Sequence, residues 1–92
     1  MANPEHVELL LQGVDTWNKW RKANPSIKPD LSEEDFSGEE FVRADFSNTN
    51  LSKTDLHEID LSWAIFSYAN LSGANLYNAN LTRGIFYGGK SS

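Results

Sequence analysis

Residues 69–78 read Ala-Asn-Leu-Ser-Gly-Ala-Asn-Leu-Tyr-Asn, which is one five-residue unit written twice. Each unit has a small residue, an Asn, a Leu and two variable residues. The same unit extends in both directions from this stretch. After residue 30, every Leu or Phe falls in its register, at Leu31, Phe36, Phe41, Phe46, Leu51, Leu56, Leu61, Phe66, Leu71, Leu76, Leu81 and Phe86. Such a strict internal period is the signature of a repeat architecture.

The pattern resembles the pentapeptide repeat family, whose unit is Ala-Asp/Asn-Leu/Phe followed by two variable positions. The resemblance covers residues 29–88. It implies an all-β solenoid, a right-handed quadrilateral β-helix in which each pentapeptide forms one side and four pentapeptides form one coil. Twelve repeats then make three coils, and the twelve central Leu and Phe residues form the core.

The residues themselves can be tested against a four-sided coil, which places each side chain on the residue 20 positions later. In this register the fourth side forms a column of phenylalanines, Phe46, Phe66 and Phe86. The residues that face this column are the smallest of the repeat: Ala44, Ala64 and Gly84. Large side chains against small ones suit a narrow, close-packed interior, so the size pattern favours four sides.

Residues 1–26 have a helical pattern instead. Apolar residues recur there at spacings of three and four: Val7, Leu10, Leu11, Val14, Trp17 and Trp20. Asn3 before Pro4 suits a helix N-terminus, and Asn24-Pro25 ends the helix. Gly13 leaves open whether the segment is one kinked helix or two short ones. We expect it to cap the N-terminal end of the β-helix, as a helical segment does in some family members.

These patterns predict one folded unit with three parts. A helical cap spans residues 1–26, the β-helix spans residues 27–88, and residues 89–92 form a flexible tail. Glu34 and Glu39 occupy the small inward position in the first coil. Because an unpaired buried carboxylate is costly, we expect the first coil to be distorted or open to water at its rim.

The charge distribution bears on partners and location. The net charge is −5, all 13 acidic residues precede residue 61, and only Arg83 and Lys90 are charged after it. A chain with no basic stripe repels phosphates, so we expect no direct binding of nucleic acid. The sequence contains no cysteine and no long apolar run near its start. We therefore expect a cytoplasmic protein without disulfides that does not bind membranes.

Few residues of the sequence are candidates for catalysis or metal binding. His57 and Glu58 are adjacent, and neighbouring residues on a strand point in opposite directions, so a metal pair is not expected. His6 lies in the helical segment. Ser and Asp residues recur with the repeat and fit polar ladders between coils better than a nucleophilic triad. We therefore predict no catalytic residues, no metal and no cofactor, and a protein that is not an enzyme.

The outer surface of the fourth side is more informative. It carries the candidate interaction patch, which consists of Trp63, Ile65, Tyr68, Ile85 and Tyr87. Trp63 also shares a column with two arginines, which favours cation–π stacking between coils. Two interpretations stay open: the patch stiffens the stack, or it docks a protein partner.

The favoured function is a non-catalytic structural and protein-interaction module with an unidentified protein partner. The resemblance implies an alternative, because some pentapeptide repeat proteins mimic DNA and modulate type II topoisomerases such as DNA gyrase. Three coils are short for such a role, and the acidic residues lie at one end. The open C-terminal coil, which has lost its acidic residues, also predicts a homodimer formed by two such coils face to face.

Overall fold

The computed structural model describes residues 1–88, and the predicted tail at 89–92 lies outside the described residues. Helix α1 spans Pro4–Leu11 and helix α2 spans Val14–Ala23. The β structure that follows consists of isolated parallel bridges, each formed by single residues. No longer strand occurs between residues 1 and 88, so each side of a coil contributes one bridged residue.

The bridges pair residues that are always 20 positions apart. Asp30, Asp35, Glu40 and Asp45 of the first coil pair with Asn50, Asp55, Asp60 and Ile65 of the second, which in turn pair with Asn70, Asn75, Asn80 and Ile85 of the third. The chain therefore returns to the same side after four pentapeptides. We number the sides in chain order and assign residues 29–48, 49–68 and 69–88 to the three coils.

The phenylalanine column of the fourth side is confirmed. The ring centroids of Phe46 and Phe66 are 5.6 Å apart, and those of Phe66 and Phe86 are 4.9 Å apart with the rings only 8° from parallel. Backbone hydrogen bonds follow the same register, as when the Phe46 N–H donates to the Ile65 carbonyl at 2.8 Å. Side-chain stacking and backbone pairing thus fix the same 20-residue repeat.

A tight turn at every corner brings the chain onto the next side. In nine repeats the carbonyl of the central residue accepts a hydrogen bond from the N–H three residues later, as between Phe41 and Ala44 at 3.1 Å. The residue before that N–H has positive φ in every repeat, at positions 33, 38, 43, 48, 53, 58, 63, 68, 73, 78, 83 and 88. This is the pattern of a type II turn. Only three of these positions are glycine, so most corners hold a side chain in a disfavoured conformation.

In nine of the twelve repeats an Asp or Asn precedes the central residue and stabilises this turn. Its Oδ1 accepts a hydrogen bond from the backbone N–H two residues later, as in Asp35 to Ser37 at 2.9 Å, and the Ser37 hydroxyl donates to the same oxygen. These bonds lower the pKa of the Asp35 carboxyl. The expected polar ladders between coils are therefore wrong. Asn75 does donate to Asp55 across coils at 3.4 Å, but most such oxygens bond within their own repeat because its N–H lies closest.

The core follows the central Leu and Phe residues, but unevenly along the axis. The first nine, from Leu31 to Leu71, are buried. Leu76 and Leu81 are only partly buried, and Phe86 is 46% exposed. This gradient arises because nothing within residues 1–88 covers the third coil. The prediction that Leu76, Leu81 and Phe86 are core residues is therefore wrong in part, because they lie at an open edge of the stack.

The two glutamates at inward positions lie where the first coil is open. Glu39 is exposed and Glu34 is half-buried. The coil nevertheless keeps its pairing, since the Phe36 N–H donates to the Asp55 carbonyl and the Asp55 N–H donates to the Glu34 carbonyl, both at 2.9 Å. The rim is thus open to water, as expected, without losing its register.

The helical segment is two helices. Gly13 separates them with φ +123°, a conformation that favours glycine. Leu10 and Trp17 are fully buried against the first coil, whereas Val7, Val14 and Trp20 are partly buried. Leu11 differs from the expected stripe, because it is 52% exposed where the break interrupts the helical periodicity. Within residues 1–88, neither helix is long and apolar enough to cross a membrane.

Polar groups of the cap pair with the exposed backbone edge of the first side. The Asn3 N–H donates to the Asp30 carbonyl at 2.9 Å. The Asp30 N–H in turn donates to Nδ1 of His6 at 3.1 Å. The backbone N–H of Asn3 and the imidazole of His6 thus form the hydrogen bonds that a preceding coil would form.

The fourth side is paired in the same way by α2. The Asn18 side chain donates through Nδ2 to the Arg43 carbonyl at 3.0 Å and accepts from the Asp45 N–H at 2.9 Å. The Trp17 indole N–H donates to the Asp45 carbonyl at 2.8 Å. A side-chain amide carries both a donor group and an acceptor group, so Asn18 imitates the pairing of a strand.

Arg21 is a buried charge that the sequence pattern did not reveal. It is 6% exposed, and its guanidinium donates to the carbonyls of Ile27 and Ser47. Burial lowers its pKa. One side chain thus bonds two backbone carbonyls beneath the cap, and the Ser47 carbonyl also accepts from the Thr49 hydroxyl at 3.1 Å.

We expect the replacement Trp17→Ala to destabilise the protein by about 3–5 kcal/mol, since it removes a buried ring together with its hydrogen bond to the first coil. Urea denaturation followed by circular dichroism measures the change. Lys19→Ala, at an exposed position of the same helix, serves as the control. A loss no larger than that of the control would contradict the packing described for the cap.

Candidate functional site

The candidate patch lies on the fourth side, between two columns of corner residues. Its side chains are large and open to solvent: Trp63 is 45% exposed, Tyr68 57%, Ile85 49% and Tyr87 70%. Ile65 is half-buried between coils. The five residues singled out from the sequence thus share one surface, because the 20-residue register brings positions 63–68 next to 83–88.

The isoleucines replace the residue that stabilises the turn on other sides. Ile65 and Ile85 occupy the bridge position that is Asp or Asn in nine repeats, and they have no oxygen to accept the turn N–H. Asp45, in the same column of the first coil, keeps this bond to Ser47 at 3.0 Å. The second and third coils therefore have an apolar side chain, half-buried at Ile65 and exposed at Ile85, in place of a local hydrogen bond.

One corner of the fourth side carries a stack of a tryptophan between two arginines. The guanidinium carbon of Arg43 lies 5.0 Å from the Trp63 ring centroid, and that of Arg83 lies 5.2 Å from it. The predicted cation–π stacking is thus present with the arginine of the first coil and with that of the third. Both arginines are exposed, and neither forms an ion pair with a carboxylate of residues 1–88.

The opposite corner is aromatic. The rings of Tyr68 and Tyr87 meet edge to face, with centroids 5.6 Å apart. Gly88 makes this arrangement possible, since a Cβ at that position would lie 2.5 Å from a carbon of the Tyr68 ring. The Tyr68 side chain therefore lies directly over the backbone of the third coil.

The fourth side differs from its neighbours in charge. Acidic residues occupy the bridge positions of the second side, Asp35 and Asp55, and of the third side, Glu40 and Asp60. On the fourth side the bridge column has a single acid, Asp45, next to the cap. An apolar surface with a cationic edge thus stands beside acidic ones.

The histidine that raised the question of a metal pair lies on the second side. Nδ1 of His57 contacts Oδ1 of Asp55, and its Nε2 lies 3.8 Å from Oε1 of Glu58. The expectation that His57 and Glu58 point apart is wrong, because Glu58 occupies a corner with positive φ that turns it back. The bond to Asp55 and the neighbouring carboxylates raise the pKa of His57. Across the described residues, no cluster of three or more His, Cys, Asp or Glu side chains could hold a metal ion.

Two exposed features were not found from the sequence. Tyr77, on the second side, is 69% exposed. A shallow, mostly apolar groove on the cap is lined by Pro4, Val7, Leu11 and Glu34, among others. Only the break between the helices, which the sequence left open, places Leu11 in this groove.

Comparison with known proteins supports the repeat pattern. The family model for Pentapeptide repeats matches residues 30–61 and 44–83, with eight copies. Among solved structures, the pentapeptide repeat protein Rfr23 from the cyanobacterium Cyanothece 51142 is 28% identical, with a TM-score of 0.66 over 68% of this chain and 43% of that one. A pentapeptide repeat protein from the Arabidopsis thaliana thylakoid lumen is 32% identical over 68% of this chain and 57% of that one, with a TM-score of 0.40.

The present chain therefore spans about half the length of these two proteins. No curated protein matches its sequence.

We expect Trp63→Ala to destabilise the protein by about 1–2 kcal/mol, because it removes two cation–π contacts at a partly exposed site. Trp63→Tyr should retain part of this stability, since it keeps an aromatic face. Both variants have the same corner conformation to adopt, so the comparison isolates the ring. Urea denaturation measures the two losses, and equal losses would contradict a stabilising role of the stack.

Proposed function

Because this chain belongs to the pentapeptide repeat family, we propose that it is a right-handed quadrilateral β-helix under a helical cap, and that it acts as a non-catalytic protein-interaction module. Its binding surface is the fourth side. One observation carries this proposal: Trp63, Tyr68, Ile85 and Tyr87 are four of the nine large hydrophobic side chains exposed within residues 1–88, and they lie side by side.

Binding explains this surface better than stiffening of the stack does. A side chain that only stiffens the stack needs contacts between coils, and the ring of Trp63 has them. Ile85 and Tyr87 lie on the outermost coil and are 49% and 70% exposed, even though the Tyr87 ring contacts that of Tyr68. Contiguous apolar and aromatic surface of this kind is typical of protein contacts, because docking removes it from water.

An affinity capture from extracts of the source cells tests the proposal. We expect the intact chain to capture a protein that the double variant Tyr68→Ser/Ile85→Ser loses. Tyr77→Ser is the matched control, since Tyr77 is equally exposed but lies on the second side. Circular dichroism verifies that each variant is folded. Equal capture by all three proteins would contradict a binding role for the fourth side.

The edge of the third coil suggests a second interaction. Phe86 is 46% exposed, whereas Phe46 and Phe66 in the same column are fully buried. The N–H groups of Leu71 and Leu76 have no backbone acceptor in the described part of the chain. No acidic residue follows Asp60, so two such edges meet with little repulsion. We propose that a second copy stacks its third coil on this one about a two-fold axis.

Sedimentation across a concentration series tests this pairing. We expect a monomer–dimer equilibrium that Phe86→Asp shifts to monomer, because a carboxylate would be buried where two rings meet. Leu11→Asp introduces the same charge at a similarly exposed position of the cap, at the opposite end of the stack, and should leave the equilibrium unchanged. A monomer at every concentration, or a dimer that Phe86→Asp leaves intact, would contradict the interface.

The topoisomerase alternative gains no support. Neither the family match nor the related structures point to it. The third coil also has no acidic side chain with which to imitate a phosphate. A DNA-like surface would need acids along the whole axis, since each base pair carries two phosphates.

A further inference from the structure

We propose that the fourth side recognises an acidic segment of a protein partner. Carboxylates of that segment pair with Arg43 and Arg83, and its aliphatic side chains pack on Ile65 and Ile85. The inference rests on the proposed function, because it assigns the chemistry of the partner to the same surface.

The two arginines are prepared for this contact. Each guanidinium carbon lies over the Trp63 ring, 5.0 Å and 5.2 Å from its centroid for Arg43 and Arg83. Both side chains are exposed, and no acid in residues 1–88 forms an ion pair with either one. A guanidinium edge is a rigid fork that fits a carboxylate with two parallel hydrogen bonds. The stack holds this fork in place before a partner arrives, which lowers the entropy lost on binding.

The spacing of the arginines indicates how many carboxylates are needed. Arg43 and Arg83 lie two coils apart in one column, which corresponds to about 10 Å along the axis at the usual spacing of paired strands. One carboxylate cannot bond both guanidinium groups at that distance. The partner segment therefore needs at least two acidic residues to occupy the whole column.

The apolar part of the surface defines the rest of the partner. Ile65 and Ile85 are neighbours in the column next to the arginines, and the Tyr68–Tyr87 pair closes the far side. If aliphatic and acidic side chains alternate along the segment, the aliphatic ones pack on the isoleucines and the acidic ones pair with the arginines. A segment that is only acidic would leave the isoleucines in water, so mixed acidic and aliphatic character is required.

The remaining charges favour a short protein segment over an extended polyanion. Glu40 and Asp60 lie on the adjoining third side, and Asp45 lies at the cap end of the fourth. A nucleic acid or an anionic membrane would extend over these carboxylates and be repelled by them. A short segment along the column of arginines and isoleucines stays clear of the third side and meets only Asp45.

Selection from a random-peptide phage library on the full chain tests the inference. We expect the enriched peptides to carry Asp or Glu next to Leu, Ile or Val. The Kd of the synthetic winning peptide, measured by fluorescence anisotropy, should weaken by about tenfold or more in R43Q/R83Q. It should also weaken in R43K/R83K, which keeps the charges but removes the fork. K28Q/K53Q removes two exposed cations elsewhere and should leave the Kd unchanged.

The outcomes separate this inference from the proposed function. Enriched peptides without acidic residues whose binding is lost in Ile85→Ser would overturn the acidic partner while supporting the binding surface. Peptide binding that neither Ile85→Ser nor R43Q/R83Q affects, or no enrichment at all, would contradict both. Arginine-dependent binding of a single-stranded oligonucleotide tighter than that of the peptide would also overturn the inference.

Discussion

The hydrogen bonds between successive coils are the constraint on which the rest of this structure depends. Each coil is too narrow to bury anything without a neighbour, and each presents N–H and carbonyl groups at its edge that require partners. Within the stack these partners lie 20 residues away. At the N-terminal end the cap supplies them, through Asn3 and His6 on the first side and through Trp17 and Asn18 on the fourth. The helices therefore complete the first coil as well as cover its apolar interior.

The backbone conformation of the corners is a second constraint on the sequence. The repeats that stabilise their corner with a side chain differ from those on the proposed binding surface. Most corners hold a non-glycine residue with positive φ. The left-handed conformation costs such a residue about 1–2 kcal/mol. The hydrogen bond from the turn N–H to an Asp or Asn side chain offsets part of this cost. The repeats at Glu40, Ile65 and Ile85 lack that bond, and two of these three lie on the proposed binding surface. These two repeats thus lack a stabilising hydrogen bond at the positions where isoleucine contributes to that surface.

The five-residue period was sufficient to predict the register, the phenylalanine column and the stack of Arg43, Trp63 and Arg83, because each follows from counting 20 positions. The contacts of the cap could not be predicted in this way. The exposure of Leu11, the burial of Arg21 and the pairing of Asn18 depend on how two helices rest on a coil edge, and no periodicity encodes that placement. The polar ladders were wrong for a different reason: the nearest donor to each Asp or Asn is the turn N–H of its own repeat.

Amide hydrogen exchange at the first coil tests the completion of its edge most directly. Four equivalent N–H groups point away from the second coil, those of Asp30, Asp35, Glu40 and Asp45, and the cap accepts hydrogen bonds only from Asp30 and Asp45. We predict that these two amides exchange more slowly than those of Asp35 and Glu40, by about tenfold or more after correction for local sequence. Similar exchange rates at all four positions would contradict the account.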